Sequence, residues 1–320
     1  AFNHAIVCAV LKNGQELLMD PTSETTQELL PIYENNQSYL VCKPTEGLLK
    51  VTPISPAEKN MLSVKTTAVM DGSGRLEAIS EIVFDGINDF ALRSIFAKLK
   101  PEEQLVLCEK FIRGMIPGAQ VTGVRLIPEN IFDMSAPLKA TINFNTDSIV
   151  IFGEDKALIS LPWISHNLSI VNSLLKNASL ARRKLPFKTH FACGIREEIT
   201  LKLPDNFTKA LSLPSFTPVE NEYLSYQRHY NFSEHKLKCF KEFQLKAVEF
   251  SPAQYLTLKE FLRLRDYDER KSPVFAAAKP AANKAVAPTG PKNSPPTSSD
   301  VKVLSDQREL VVKNAHAAVL

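Results

Sequence analysis

Two side chains near the start of the chain have the types and spacing for acid–base chemistry, His4 and Asp20. An imidazole is the side chain whose ordinary pKa lies nearest neutral pH, so it takes up and returns a proton readily. A carboxylate beside it fixes the ring tautomer and stabilises the imidazolium. Such a pair is the base half of a nucleophilic acyl-transfer site and needs a thiol or hydroxyl to activate. Five cysteines stand at positions 8, 42, 108, 193 and 239. Four lie in apolar surroundings, AIVCAV, YLVCKP, LVLCEK and HFACGI, and read as small core hydrophobes. Their odd number in so long a chain argues against a disulfide framework. No CxxC or CxxH pair offers a zinc site, so neither metal nor cofactor is expected.

The elements that must position His4 and Asp20 are two short strands. Residues 4–11 and 16–20 are apolar runs around Lys12-Asn13-Gly14-Gln15, and Asn-Gly between such runs is a strong hairpin signal. The second strand stops at Asp20-Pro21-Thr22, because proline donates no ladder hydrogen bond. The loop length decides the chemistry. A regular hairpin through Lys12–Gln15 pairs Leu11 with Glu16 and Val7 with Asp20, and His4 then points to the opposite face from Asp20. An odd-numbered loop or a one-residue bulge returns both to one face.

Other candidates have plainer readings. His229 and His235 lie on neighbouring strand segments and read as solvated. Glu197-Glu198 reads as a charged strand edge, and Trp163 beside Pro162 as packing. Asp71-Gly72-Ser73-Gly74 lacks the further ligands of a calcium or phosphate loop and reads as a hairpin turn.

Beyond the first hairpin, residues 24–38 read as loop and Ser38–Lys43 as a strand, with Pro44, Pro53 and Pro56 marking a boundary. LSVKTTAVM and RLEAISEIVF alternate as antiparallel arms around the Asp71–Gly74 turn. Residues 88–99 place apolar side chains at helical spacing behind an Asn that can cap. Pro101-Glu102-Glu103 opens a second helix to about Gly114. QVTGVRLI, PLKATINF, DSIVIFG, KALISLP, REEITLKL, YLSYQRHYNF and LKCFKEFQLKAVEF read as strands, and Ser251-Pro252 begins another helix. Residues 164–182 show no clear period. The stretch AAAKPAANKAVAPTGPKNSPPTSSD has almost nothing to bury and reads as a linker.

Phe2-Asn3-His4-Ala5 with Val7, then Asn13-Gly14, then Asp20-Pro21-Thr22-Ser23, resembles the His and Asp motifs of the transglutaminase-like superfamily. Its papain-like core carries Cys, His and Asp in that order along the chain. The text most resembles bacterial multidomain members in which the core sits between two β-rich domains of unknown function. Leu30-Pro31, Tyr39-Leu40-Val41, Thr52-Pro53 and Asn60 resemble the exit from that core. Arg196-Glu197-Glu198 and Phe250-Ser251-Pro252 resemble the C-terminal domain. The resemblance spans roughly residues 1–275. It implies that His4 is the general base and Asp20 its orienting partner, that the nucleophilic Cys lies upstream of Ala1, and that this chain alone is inactive.

These readings combine into a mainly β, α+β architecture. The expected parts are a remnant of the transglutaminase-like core over 1–57, a β-rich domain with two helices over 58–165, and a β-sandwich portion over 166–275. A Pro/Ala-rich linker over 276–300 and a further strand segment over 301–320 follow. The expected function is acyl transfer at amide bonds of a protein or peptide substrate, by hydrolysis or transamidation. The alternative is a non-catalytic sandwich module that binds a partner in the bacterial envelope, and the resemblance implies a periplasmic or envelope location for either. A net charge of +3 on 320 residues gives no basic face for nucleic acid, and no apolar run is long enough for a membrane-spanning helix.

Overall fold

The computed structural model describes residues 4–42 and 47–277. The chain is mainly β. Its largest element is an eight-stranded sheet in the order Val219–Glu220, Leu224–Ser233, Lys236–Leu245, Cys193–Lys202, Met61–Met70, Leu76–Phe84, Lys139–Thr146, Gln120–Ile127. Six of the seven pairings in this sheet are antiparallel; in the seventh, Cys193–Lys202 runs parallel to Met61–Met70, from Gly194 opposite Met61 to Lys202 opposite Val69. That junction places the two regions expected as separate, 58–165 and 166–275, in one sheet. An antiparallel four-stranded sheet follows the order Phe207–Ser212, Val274–Ala277, Lys156–Ile159, Val150–Phe152. The two sheets share one core, where the Phe232 and Phe275 ring centres lie 5.0 Å apart.

Alternation in sequence becomes alternation in burial. Leu76, Ala78, Ile82 and Phe84 are buried while Glu77 and Glu81 on the same strand are exposed. Thr66 and Ser80 interrupt the buried face, and their hydroxyls satisfy each other at 2.8 Å. The expected helices are present as Ile87–Phe96, Pro101–Arg113 and Pro252–Glu269. The last begins with reciprocal capping, Ser251 N–H to Gln254 Oε1 at 2.7 Å and Gln254 N–H to Ser251 Oγ at 3.3 Å.

Two local expectations are corrected and one open stretch is filled. Asn88 does not cap its helix: it is wholly buried in the first turn, donating to the Asn60 carbonyl and accepting from Ile170 N–H. The stretch 164–182 contains two short helices, Ser165–Leu168 and Ile170–Lys176, too short for their sequence to show a period. Glu197 is no charged edge, because its strand lies inside the large sheet. It is fully buried, accepts from Ser165 Oγ at 2.5 Å and pairs with Lys241 Nζ at 3.2 Å.

Residues 4–57 carry two small ribbons, Val7–Val10 with Glu16–Met19 and Ser38–Cys42 with Gly47–Val51. Between them a turn at Ile32–Glu34 docks on the main body, with Ile32 and Tyr33 buried and the Tyr33 ring 4.9 Å from Phe90. Ala276 and Ala277, the first two residues of the expected linker, belong to the strand Val274–Ala277. The remainder of 276–300 and all of 301–320 lie outside the described residues. No helix among the described residues is long and apolar enough to cross a membrane.

Candidate functional site

The first hairpin closes with an odd loop. Val7 pairs with Met19 and Val10 with Glu16, so the register stands one residue away from the regular alternative. Leu11 N–H donates to Gln15 O and Gly14 N–H to Leu11 O, leaving three residues, Lys12, Asn13 and Gly14, in the loop. Gly14 sits at φ +82, the left-handed position that such a three-residue loop requires. Continued outward, this register sets Ile6 opposite Asp20. His4, two residues before Ile6, therefore shares a face with Asp20 as its diagonal neighbour.

The two side chains meet. His4 Nε2 lies 3.0 Å from Asp20 Oδ2, and the Asp20 side chain has no exposed surface while the His4 ring is 41% exposed. The other Asp20 oxygen accepts the Thr22 backbone N–H at 3.0 Å. This explains the Asp-Pro-Thr run physically: Pro21 has no N–H, so the carboxylate closes a turn onto the next residue. Burial works to raise the Asp20 carboxyl, but the Thr22 N–H and hydroxyl, His4 and Glu34 outweigh it and hold the group below its ordinary value. Asp20 is therefore ionised at neutral pH and accepts from the imidazole. The neutral ring then carries its proton on Nε2 and its lone pair on Nδ1, and no hydrogen bond occupies Nδ1 among the described residues.

Sequence reasoning missed a third member, Glu34. Its Oε1 lies 3.3 Å from the same His4 Nε2, delivered by the buried turn at Ile32–Glu34. Burial, the charge of Asp20 and a hydrogen bond to Asp20 push its carboxyl up to about 7, against a smaller opposing pull from His4. Near neutral pH Glu34 thus exchanges between a carboxylate that competes for the imidazole and an acid that donates to Asp20. No periodic signal announces it, since a three-residue turn in a polar loop has none. His4, Asp20 and Glu34 present three ligand atoms within 4.8 Å of one another, a spacing that could also hold a divalent cation.

The remaining candidates do not join this site. His229 is exposed and stacks on Phe240 with ring centres 4.9 Å apart, while His235 occupies the turn after that strand at φ 55. All five cysteines are free. Cys108, Cys193 and Cys239 are buried, and burial alone pushes the Cys108 thiol up to about 12, so these three are inert as nucleophiles. Cys42 is exposed and Cys8 half-buried, contrary to the core reading of their surroundings. Cys8 shares the His4 face but stands four residues along, roughly 13 Å away.

Residues 161–275 match a family model described as a domain of unknown function with a solved structure, DUF3858. No curated protein matches the chain. Among solved structures, a "putative protease" from Parabacteroides distasonis ATCC 8503 is similar at 15% sequence identity with a TM-score of 0.33. The similarity covers 38% of this chain and 23% of that one, so the chain spans less than a quarter of the protein it matches.

Proposed function

We propose that His4 and Asp20 are the general base and the orienting carboxylate of a cysteine acyl-transfer site of the transglutaminase-like kind, acting on amide bonds of a protein or peptide substrate. The nucleophilic thiol in this reading comes from residues that precede this chain in a longer protein. The observation that carries it is the 3.0 Å contact between His4 Nε2 and a fully buried Asp20 carboxylate, which leaves Nδ1 as the proton-accepting nitrogen. Nδ1 takes the thiol proton as sulfur attacks the amide carbonyl, and Asp20 stabilises the imidazolium so formed. The same proton then passes to the leaving amine as the carbon–nitrogen bond breaks. Water or a second amine releases the acyl group from sulfur, giving hydrolysis or transamidation.

The motif resemblance around His4 and Asp20 supports the reading, and so does the odd hairpin loop that puts both on one face. Losing the nucleophile from an acyl-transfer triad lowers the rate by on the order of a million-fold. The isolated chain is therefore expected to turn over neither a fluorogenic peptide amide nor a glutamyl substrate with an added amine. In the longer protein, His4→Ala and Asp20→Asn are each expected to lower kcat by about 10⁴-fold. Turnover by the isolated chain that survives replacement of all five cysteines would contradict the assignment. Undiminished activity of His4→Ala in the longer protein would overturn His4 as the base, and no amidase or transamidase activity of the longer protein would leave the binding-module reading in its place.

A further inference from the structure

Four cationic side chains are buried among the described residues, Arg93, Arg228, Lys241 and Arg265. Removing such a charge from water is costly unless an anion faces it. Arg93 has Asp89 at 2.6 Å, Lys241 has Glu197 at 3.2 Å, and Arg265 reaches Asp266 at 4.0 Å. Arg228, only 4% exposed, has no carboxylate within that range among the described residues. Its guanidinium donates to the Asp268 carbonyl at 3.2 Å and to the Tyr230 hydroxyl at 2.5 Å, and its buried Nε–H has no partner among the described residues.

This uncompensated charge lines a cleft of about 370 Å³ between the strand Leu224–Ser233, the segment 160–163 and the turn 269–273. Three aromatic rings surround the guanidinium, Trp163 and Phe216 with centres 4.8 Å from its carbon and Tyr230 at 5.4 Å. Arg270 is exposed at the rim, and Lys271 beside it is tied to Asp268 at 2.7 Å. Glu269 also lines the cleft and stands 3.7 Å from His166. A volume of this size suits a small organic group rather than a lone ion, and aromatic walls favour an apolar body.

We propose that this cleft is a binding site for a carboxylate carried on an apolar body, a peptide C-terminus or an acidic side chain with apolar neighbours, with Arg228 as the charge it answers and Trp163 and Tyr230 as its walls. Two of the five guanidinium N–H groups go to Asp268 O and Tyr230 Oη, and those left suit the oxygens of one carboxylate, whereas a phosphate calls for a cluster of cations. The site lies in the 161–275 region, is built from none of the residues around His4, and is independent of the acyl-transfer reading.

Trp163 is the one tryptophan of the chain, so intrinsic fluorescence reports on this cleft directly. The full chain would be titrated with three acetylated apolar tripeptides: one with a free C-terminal carboxylate, its C-terminal amide, and an amidated version with one internal Glu. Inorganic phosphate serves as a fourth ligand. A saturable change in Trp163 emission is expected with either carboxylate peptide and not with the neutral amide, and the tighter of the two identifies the natural source. Arg270→Glu, an exposed change, is expected to weaken binding about fivefold. Arg228→Gln is expected to abolish it, and if that variant does not fold, Arg270→Glu carries the mutational arm. Equal responses to acid and amide, tighter saturation by phosphate, or no saturable change up to about 10 mM would overturn the proposal.

Discussion

Asp20 gives one carboxylate oxygen to its own chain, through Thr22 N–H, and the other to His4, and it is this division that makes the imidazole's tautomer definite. Glu34 adds a pH dependence. Its proton is held to about 7 in the folded state against an ordinary 4.5. Between those values the folded state binds more protons than the unfolded one, so stability falls as pH rises through the window and levels off above it. The full shift corresponds to on the order of 3 kcal/mol. Glu34→Gln removes this dependence, so wild type should lose on the order of 2 kcal/mol relative to the variant between pH 5 and pH 8. Urea midpoints of both proteins at the two pH values measure it, and parallel pH profiles would show that Glu34 is not held as a neutral acid. At this scale the sequence was partly legible. His4 and Asp20 could be found because an apolar run holding the His and an Asp-Pro-Thr stop flank one Asn-Gly turn, whereas Glu34 reaches the site only through the docking of Ile32 and Tyr33 on the helix Ile87–Phe96.

Two turns set the registers on which the fold depends, and both use the same device. Lys12-Asn13-Gly14 and Gly72-Ser73-Gly74 are three-residue loops closed by equivalent backbone bonds, with Gly14 at φ +82 and Gly74 at φ +91. The sequence showed that turns occur here, but Asn-Gly is compatible with two-residue and three-residue loops alike. The choice between them is the choice of which face Asp20 occupies, and the Asn-Gly pair alone does not make it. The two glycines differ in surroundings. A Cβ at Gly14 would meet nothing within 4 Å, while one at Gly74 would lie 2.9 Å from Phe152 Cε2. Gly14→Ala should therefore cost about 1 kcal/mol, the conformational penalty alone. Gly74→Ala should cost about 1–3 kcal/mol more through overpacking. Denaturant midpoints rank them, and a Gly14→Ala cost equal to or above that of Gly74→Ala would contradict the assignment.

Across the whole molecule, the parallel pairing of Met61–Met70 with Cys193–Lys202 is the feature that sequence patterning could not supply. The two strands are some 130 residues apart, and alternation tells each strand which face is buried without naming its neighbour. Closeness at the junction is enforced at Gly194, where a Cβ would lie 2.5 Å from Phe243 O, and by Asn60, wholly buried and bonded to Ala192 O and Ile87 N–H. One sheet and one core across 58–277 should open as one cooperative unit. Native-state hydrogen exchange is expected to show the slowest amides of Leu76–Phe84 and of Lys236–Leu245 converging on the same opening free energy. A gap of more than about 2 kcal/mol between them would instead support two independent units, matching the expected division into 58–165 and 166–275.

The claim on which the functional account rests is that the buried Asp20 carboxylate fixes His4 with its proton on Nε2 and its lone pair on Nδ1. Long-range ¹H–¹⁵N correlation spectra of the full chain, recorded above the imidazole titration, read this directly. The account predicts that neutral His4 is overwhelmingly the Nε2–H tautomer in wild type and that Asp20→Ala returns it to the mixture of a free imidazole. A mixed tautomer in wild type, or a spectrum unchanged by Asp20→Ala, would contradict it.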